Sequence, residues 1–210
     1  MIYFLCLLLG NSAYADEGIV SALKGKAELS DSATPIKIGS RIENGAKIKT
    51  GADSFAVISL PDGSKLKLKE SSEIILHLPG SVKEKTTAVD LVVGGIFAAV
   101  RKKEGQSFQV KSKSAVAGVR GTEFFTALGE KDAFWLCVND GQVDVTPTSG
   151  SKKTLEVPKG LGVLVESGKE PEAPKPYEWT KKLNWKMEGD IEDHTSIKSE
   201  YKHLLRHHYD

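Results

Sequence analysis

The sequence predicts an all-β fold: many short strands in a sandwich or a short β-solenoid or roll, then a C-terminal linker and an amphipathic helix. Three observations carry that reading. Between Ile19 and Val165 the apolar residues alternate or run together briefly, and none of the stretches keeps a helical period. Turn residues interrupt them at intervals of about 8–12 residues, the spacing of sandwiches and barrels. Twenty glycines accompany frequent Val, Ile and Thr, which supply sharp turns and β-branched strand positions.

The elements follow in order. Ile2 to Leu9 is an apolar run that ends in Ala13-Tyr14-Ala15. It is too short to span a bilayer as a helix, and the A-x-A pattern predicts a secretory signal over residues 1–15, cut before Asp16. No Lys or Arg precedes the run, and the residues before Cys6 do not suggest lipidation. Ile19 to Leu23 and Lys24 to Leu29 read as two short strands about Gly25. Residues 38–51 repeat glycines and apolar residues too closely for a helix. Ser54 to Leu60 is nearly continuous in apolarity and predicts a strand buried on both faces. Pro61-Asp62-Gly63-Ser64 is a turn, with Pro fixing one φ and Gly accepting a positive one. Lys65-Leu66-Lys67-Leu68-Lys69 then alternates, with leucines inward and lysines outward.

Glu73 to Leu78, Ala88 to Val93 and Ile96 to Val100 continue the pattern, separated by Pro79-Gly80, the charged turn Lys83-Glu84-Lys85, and Gly94-Gly95. Arg101-Lys102-Lys103-Glu104-Gly105 reads as a polar hairpin loop, a solvated turn whose sharper alternative is a phosphate- or polymer-binding patch. Phe108 to Val110 leads to the central stretch Ser114 to Phe125. Ala133 to Val138 and Val143 to Val145 flank Asn139-Asp140-Gly141, a strong hairpin signal. Thr154 to Val157 and Gly162 to Val165 close the series, which makes about fifteen candidate strands. From Lys169 to Pro176 the chain is proline-rich and extended. Leu183, Trp185 and Met187 alternate as one edge strand. Ile197, Tyr201, Leu204, Leu205 and His208 then fall on one face of a helix. The predicted organisation is therefore a signal over 1–15, a β domain over 16–169, a linker over 170–178, and a tail with edge strand and helix over 179–210.

Little in the sequence is equipped for chemistry. The formal net charge of +1 gives no bias toward nucleic acid. After signal removal Cys137 stands alone, so no intramolecular disulfide framework forms, and its apolar neighbours make it a buried, inert thiol. Four of the five histidines, His194, His203, His207 and His208, lie in the tail. His203 and His207 are four residues apart, but no further ligands complete a metal set, so neither metal nor cofactor is expected. His77 reads as a solvent-facing strand residue. Hydrolase and phosphate-loop motifs are missing, and the chain reads as a non-enzyme. The most pointed group is Gly118-Val119-Arg120-Gly121-Thr122-Glu123. We read Arg120 and Glu123 as a partly buried pair that pins a turn, with a fixed charged feature facing a partner as the alternative.

Gly45-x-x-Ile48-x-Thr50-Gly51, Leu60-Pro61-Asp62-Gly63-Ser64, Ala117-Gly118-Val119-Arg120-Gly121-Thr122-Glu123-Phe124 and Asn139-Asp140-Gly141-x-Val143 occur in one order. In these motifs the chain resembles the FecR-type domain of bacterial envelope proteins, over roughly residues 18–168. The resemblance implies an all-β, periplasmic, non-catalytic module, and marks Asp62, Gly63, Arg120, Gly121, Thr122, Glu123 and Phe124 as structural motif residues. In the best-known members the module follows a sigma-factor-binding segment and one membrane helix, neither of which this sequence shows. The expectation is an exported, non-spanning envelope module, periplasmic or secreted, that binds an envelope protein or polymer. The alternatives are a signalling regulator working with a separate membrane or sigma-factor partner, and a cell-wall or polysaccharide hydrolase.

Overall fold

A computed structural model describes residues 17–80 and 85–187. The predicted signal, the Lys83-Glu84 part of the charged turn, the tail histidines and the predicted C-terminal helix lie outside the described residues.

The described strands, numbered along the chain, make two sheets. The first runs, in spatial order, β4 (Arg41–Ile42), β1 (Gly18–Lys24), β6 (Phe55–Ser59), β7 (Lys65–Leu68), β10 (Gly95–Ala99), β13 (Glu123–Leu128), β14 (Phe134–Asp140) and β17 (Gly162–Val165). The second runs β3 (Thr34–Pro35), β2 (Ala27–Leu29), β5 (Lys47–Thr50), β8 (Glu73–His77), β9 (Thr86–Val93), β11 (Ser107–Lys111), β12 (Ala115–Val119), β15 (Gln142–Pro147) and β16 (Leu155–Pro158). Every pairing is antiparallel except β9 with β11. Apart from β3 and β4 at one edge, spatial order follows sequence order in both sheets. The chain winds back and forth between two layers while advancing in one direction, so the predicted sandwich and roll describe the same object.

Alternation along each strand fills the space between the layers. Ile58, Leu66, Leu68, Ile96, Phe124 and Leu136 of the first sheet meet Ile48, Ile74, Leu76, Val89, Val110 and Val143 of the second in one buried cluster. Burying each such side chain is worth about 1.5–3 kcal/mol, which suffices for a chain with one described, unpaired cysteine.

The crossings between layers are abrupt. Gly94 alone separates β9 from β10, and Gly141 alone separates β14 from β15. Both adopt positive φ, +82° in each case. A Cβ on Gly94 would lie 2.6 Å from the Ser72 Cα. The expected hairpin at Asn139-Asp140-Gly141 is therefore a sheet-switching corner. Positive φ serves a corner as well as a hairpin, and local sequence does not say which sheet receives the next strand. The expected hairpin loop at Arg101 to Gly105 is likewise a crossover, from β10 in the first sheet to β11 in the second. Pro61 to Ser64 does join a true hairpin, β6 to β7.

The first sheet has a second covered face. Lys67, Phe97, Phe125, Cys137 and Gly162 form one row across β7, β10, β13, β14 and β17. Residues 175–187 lie across this row as a strap. Lys175 bridges to Gly162, and Tyr177 and Trp179 pack on Trp135 at 5.6 and 6.1 Å. Trp179 also meets Phe125, and Trp185 meets Phe97 at 5.5 Å, edge to face. Gly162 makes room for the strap, since a Cβ there would sit 3.0 Å from the Tyr177 ring.

Two expectations change here. Residues 183–187 form no edge strand. A short 3-10 helix (Glu178–Lys182) precedes them, and Leu183, Trp185 and Met187 join the apolar layer over the sheet. The alternation that suggested a strand instead places those three side chains on the sheet face. Lys67 does not point into solvent but is 3 % exposed beneath the strap. Its Nζ donates to the Lys186 carbonyl at 2.8 Å and lies 5.2 Å from the Phe97 ring centre.

Candidate functional site

Three of the motif segments meet at one place, the corner where β12 of the second sheet passes to β13 of the first. In the β6–β7 hairpin, the Asp62 carboxylate accepts from the Ser64 N–H at 2.8 Å and from the Ser64 hydroxyl at 2.9 Å. The same Ser64 oxygen accepts from the Arg101 backbone N–H at 3.0 Å. The Asp-Gly-Ser turn thus fixes where the basic loop leaves β10.

Thr122 ties the remaining strands. It is buried, its hydroxyl donates to the Gln142 carbonyl at 2.8 Å, and its own carbonyl accepts from the Val100 N–H at 2.9 Å. Gly121 and Gly141 close the packing. A Cβ on Gly121 would sit 2.8 Å from Lys102 Cβ, and one on Gly141 would sit 2.8 Å from the Gly121 carbonyl oxygen. Immediately after, the β13–β14 register shifts between Glu123 and Phe124. That bulge leaves Asn139 beside Glu123, to whose carboxylate it donates at 2.5 Å. Phe124 enters the main core while Phe125 faces the strap.

The corner encloses an open cleft of about 560 Å³, lined by Gly63, Lys65, Ala99, Val100, Arg101, Gly121, Thr122, Glu123 and Asp140, and at one side by the strap residues Lys186 and Met187. Asp140 is bound to Lys159 at 2.9 Å, an exposed pair that lowers the pKa of the carboxyl.

The predicted motif residues are thus brought together, with one correction. Arg120 is exposed, and among the described residues no ion pair joins it to Glu123. Gly121 turns the chain between them, so Glu123 faces Asn139 while Arg120 projects outward. The closure is made by Thr122 and two glycines rather than by the charged pair. Sequence reasoning missed Lys65, Asp140 and Lys186 as cleft residues. Crossovers and the strap deliver them, and no local spacing relates them.

Groups that could perform chemistry lie elsewhere. Cys137 is buried beneath the strap, and desolvation pushes its thiol up to about 12. His77 sits half-exposed on the second sheet, 2.9 Å from Asp90. Among the described residues no group of three metal-ligating side chains converges, and no helix is long and apolar enough to cross a membrane.

Residues 46–144 match the model of a family described as FecR protein. That region holds Thr50, the Asp62-Gly63 turn, the Arg120–Phe124 stretch and Gly141. No curated protein matches the chain. Two crystal structures of a "putative anti-sigma factor" from Parabacteroides distasonis share the fold. They have TM-scores of 0.54 and 0.53 and are 18% identical in sequence, and each match covers 65% of this chain. The chain spans 62% and 63% of the length of those two structures.

Proposed function

Because residues 46–144 are a FecR region, we propose that the chain is a periplasmic, non-catalytic signalling regulator that acts through a separate protein partner. The observation that carries this reading is the family match, laid over the corner where its motif residues converge. The likeness to structures described as an anti-sigma factor supports the same reading over that of a polymer-binding module. Physically, the fold suits such a role. Two cross-tied sheets hold several short corners rigidly, and a rigid scaffold with exposed turns presents a fixed surface to a partner. Among the described residues, the buried Cys137, Lys67 and Tyr177 are engaged in packing rather than poised for proton transfer.

Deleting the gene and profiling transcripts tests the proposal. A regulator changes a small, coherent set of genes, and restoring the intact chain reverses the change. An unchanged transcript profile, together with purified protein that binds isolated cell-wall polymer, would overturn it in favour of a polymer-binding module.

A further inference from the structure

The charged ends of the Arg101-Lys102-Lys103 run take no part in the fold's hydrogen bonding among the described residues. Its three side chains are exposed and make no hydrogen bond or ion pair among the described residues. Yet the fold places the run carefully. The Ser64 hydroxyl holds the Arg101 backbone, Gly63 lies 3.5 Å (as a virtual Cβ) from Arg101 Cγ, and Gly121 lets Lys102 lie against the turn that carries Arg120. Arg101 lines the cleft together with Lys65 and with Lys186 of the strap. Lys102 lies against Gly121, the residue that follows Arg120. On a chain whose net charge is only +1, this is a local concentration of cations.

The two carboxylates of the cleft do not cancel it. Asp140 is paired with Lys159, and Glu123, which accepts from the neutral Asn139, leaves one negative charge in a lining that also holds Arg101 and Lys186. Between the charges the wall is apolar, formed by Ala99, Val100 and Met187.

We propose that this cleft binds an acidic peptide segment of a protein partner, with carboxylates on Arg101 and Lys186 and an apolar side chain against Val100 and Met187. An exposed guanidinium offers a planar fork that matches a carboxylate with two parallel hydrogen bonds. The volume, about 560 Å³, lies within the range of small-ligand sites and admits a few residues of extended chain. A phosphate group fits less well, because it leaves the apolar lining of Val100 and Met187 uncovered. This inference deepens the regulator reading and rests on it for the identity of the partner as a protein.

The test uses the whole exported chain and a short fluorescein-labelled peptide of alternating Glu and Leu, followed by anisotropy at low and moderate salt. We expect saturable binding that weakens with salt, as charge pairing requires. Arg101→Ala and Lys186→Ala should each weaken it roughly five- to tenfold. Lys37→Ala, an equal charge change at an exposed position far along the chain, should leave it unaltered. Melting temperatures of all three variants should match the parent, since none of these side chains packs in the core. Absence of binding overturns the proposal. So does an equal loss in all three variants, which would mean nonspecific attraction. Competition by inorganic phosphate at concentrations equal to the peptide would also overturn it, by showing a simple anion site. The outcomes separate from those of the transcript experiment. Peptide binding lost in Arg101→Ala with no transcript change keeps the cleft and discards the regulator. A transcript change that Arg101→Ala and Lys186→Ala leave intact discards the cleft alone.

Discussion

Replacing Gly141 by Ala should destabilise the protein far more than replacing Gly160, although the two share a backbone conformation. Gly141 has φ +82° and Gly160 φ +81°. Left-handed backbone costs a non-glycine residue about 1–2 kcal/mol, so both variants carry that term. The surroundings differ. Around Gly160 a Cβ meets nothing within 4 Å. At Gly141 it would lie 2.8 Å from the Gly121 carbonyl oxygen, 2.9 Å from Thr122 Oγ1 and 3.2 Å from Thr122 Cα. Two of those three atoms are backbone and cannot swing aside. Moving them strains the corner and lengthens the Thr122–Gln142 hydrogen bond, and overpacking of this kind adds about 1–3 kcal/mol. The expected total is about 3 kcal/mol for Gly141→Ala against about 1 kcal/mol for Gly160→Ala. At roughly 2–4 °C per kcal/mol for a chain of this size, the melting temperatures should fall by about 6–12 °C and about 2–4 °C. Scanning calorimetry, with urea denaturation for the free energies, measures both. Equal losses in the two variants would refute the argument, because they would show that conformation alone matters and that the corner is not tightly closed.

Arg120→Ala should change stability by less than about 0.5 kcal/mol, as befits an exposed side chain; a loss near 3 kcal/mol in urea denaturation would restore the buried-pair reading. Trp185→Ala should cost about 2–3 kcal/mol, below the range for a fully buried Trp because Trp185 is only partly buried. All three tryptophans of the chain lie in the strap layer. Intrinsic fluorescence should therefore red-shift in that variant, with increased binding of a hydrophobic dye, and an unchanged spectrum would contradict the strap. Burial lowers the Lys69 pKa to about 8, and Lys67 is shifted the same way. Between pH 8 and about 10.4 the unfolded lysine binds more protons than the folded one, so stability rises with pH across that window and the penalty is full below it. Two groups whose pKa burial raises oppose this, Cys137 from about pH 8.5 upward and Tyr177 above about pH 10. The Cys137 contribution is common to the parent and Lys69→Met, so the parent's urea midpoint should gain on that of Lys69→Met from pH 8 to pH 9.5, and a constant difference between the two would refute the assignment.

The sequence made the strands legible because their periodicity is local. Leu66 and Leu68 point inward as their spacing requires, and Phe55 to Ile58 is buried throughout as its continuous apolarity predicts. Pro61 to Ser64 was legible because turn type follows from Pro and Gly alone. What resisted reading was every relation that spans the layers. Asn139-Asp140-Gly141 has hairpin chemistry, yet its two strands lie in different sheets. Lys67 has the alternation of a solvent-facing lysine, yet its hydrogen-bond acceptor is 119 residues away. The site divides along the same line. Asp62, Gly63, Gly121 and Thr122 announce tight turns individually, whereas the cleft exists only once Arg101 and Lys186 are brought together.

The strap is held against several opposing contributions. Tyr177, Trp179, Leu183, Trp185 and Met187 place large apolar surfaces on the sheet, each worth on the order of 1.5–3 kcal/mol if fully buried. Against this, docking desolvates Lys67 and Lys69, and the Trp179 indole N–H is buried without an acceptor among the described residues. An unsatisfied buried donor alone costs about 1–3 kcal/mol. Ordering the strap backbone adds an entropic cost. The strap is packed on one sheet face only, and it opens more readily than the interior between the sheets. Its end is also shared with the cleft. The Lys186 carbonyl accepts the hydrogen bond of buried Lys67, while Lys186 and Met187 form one wall of the cleft. A ligand that contacts that wall binds the docked and undocked strap with different affinity, so its binding and the docking of the strap are linked by one coupling free energy, the same in both directions.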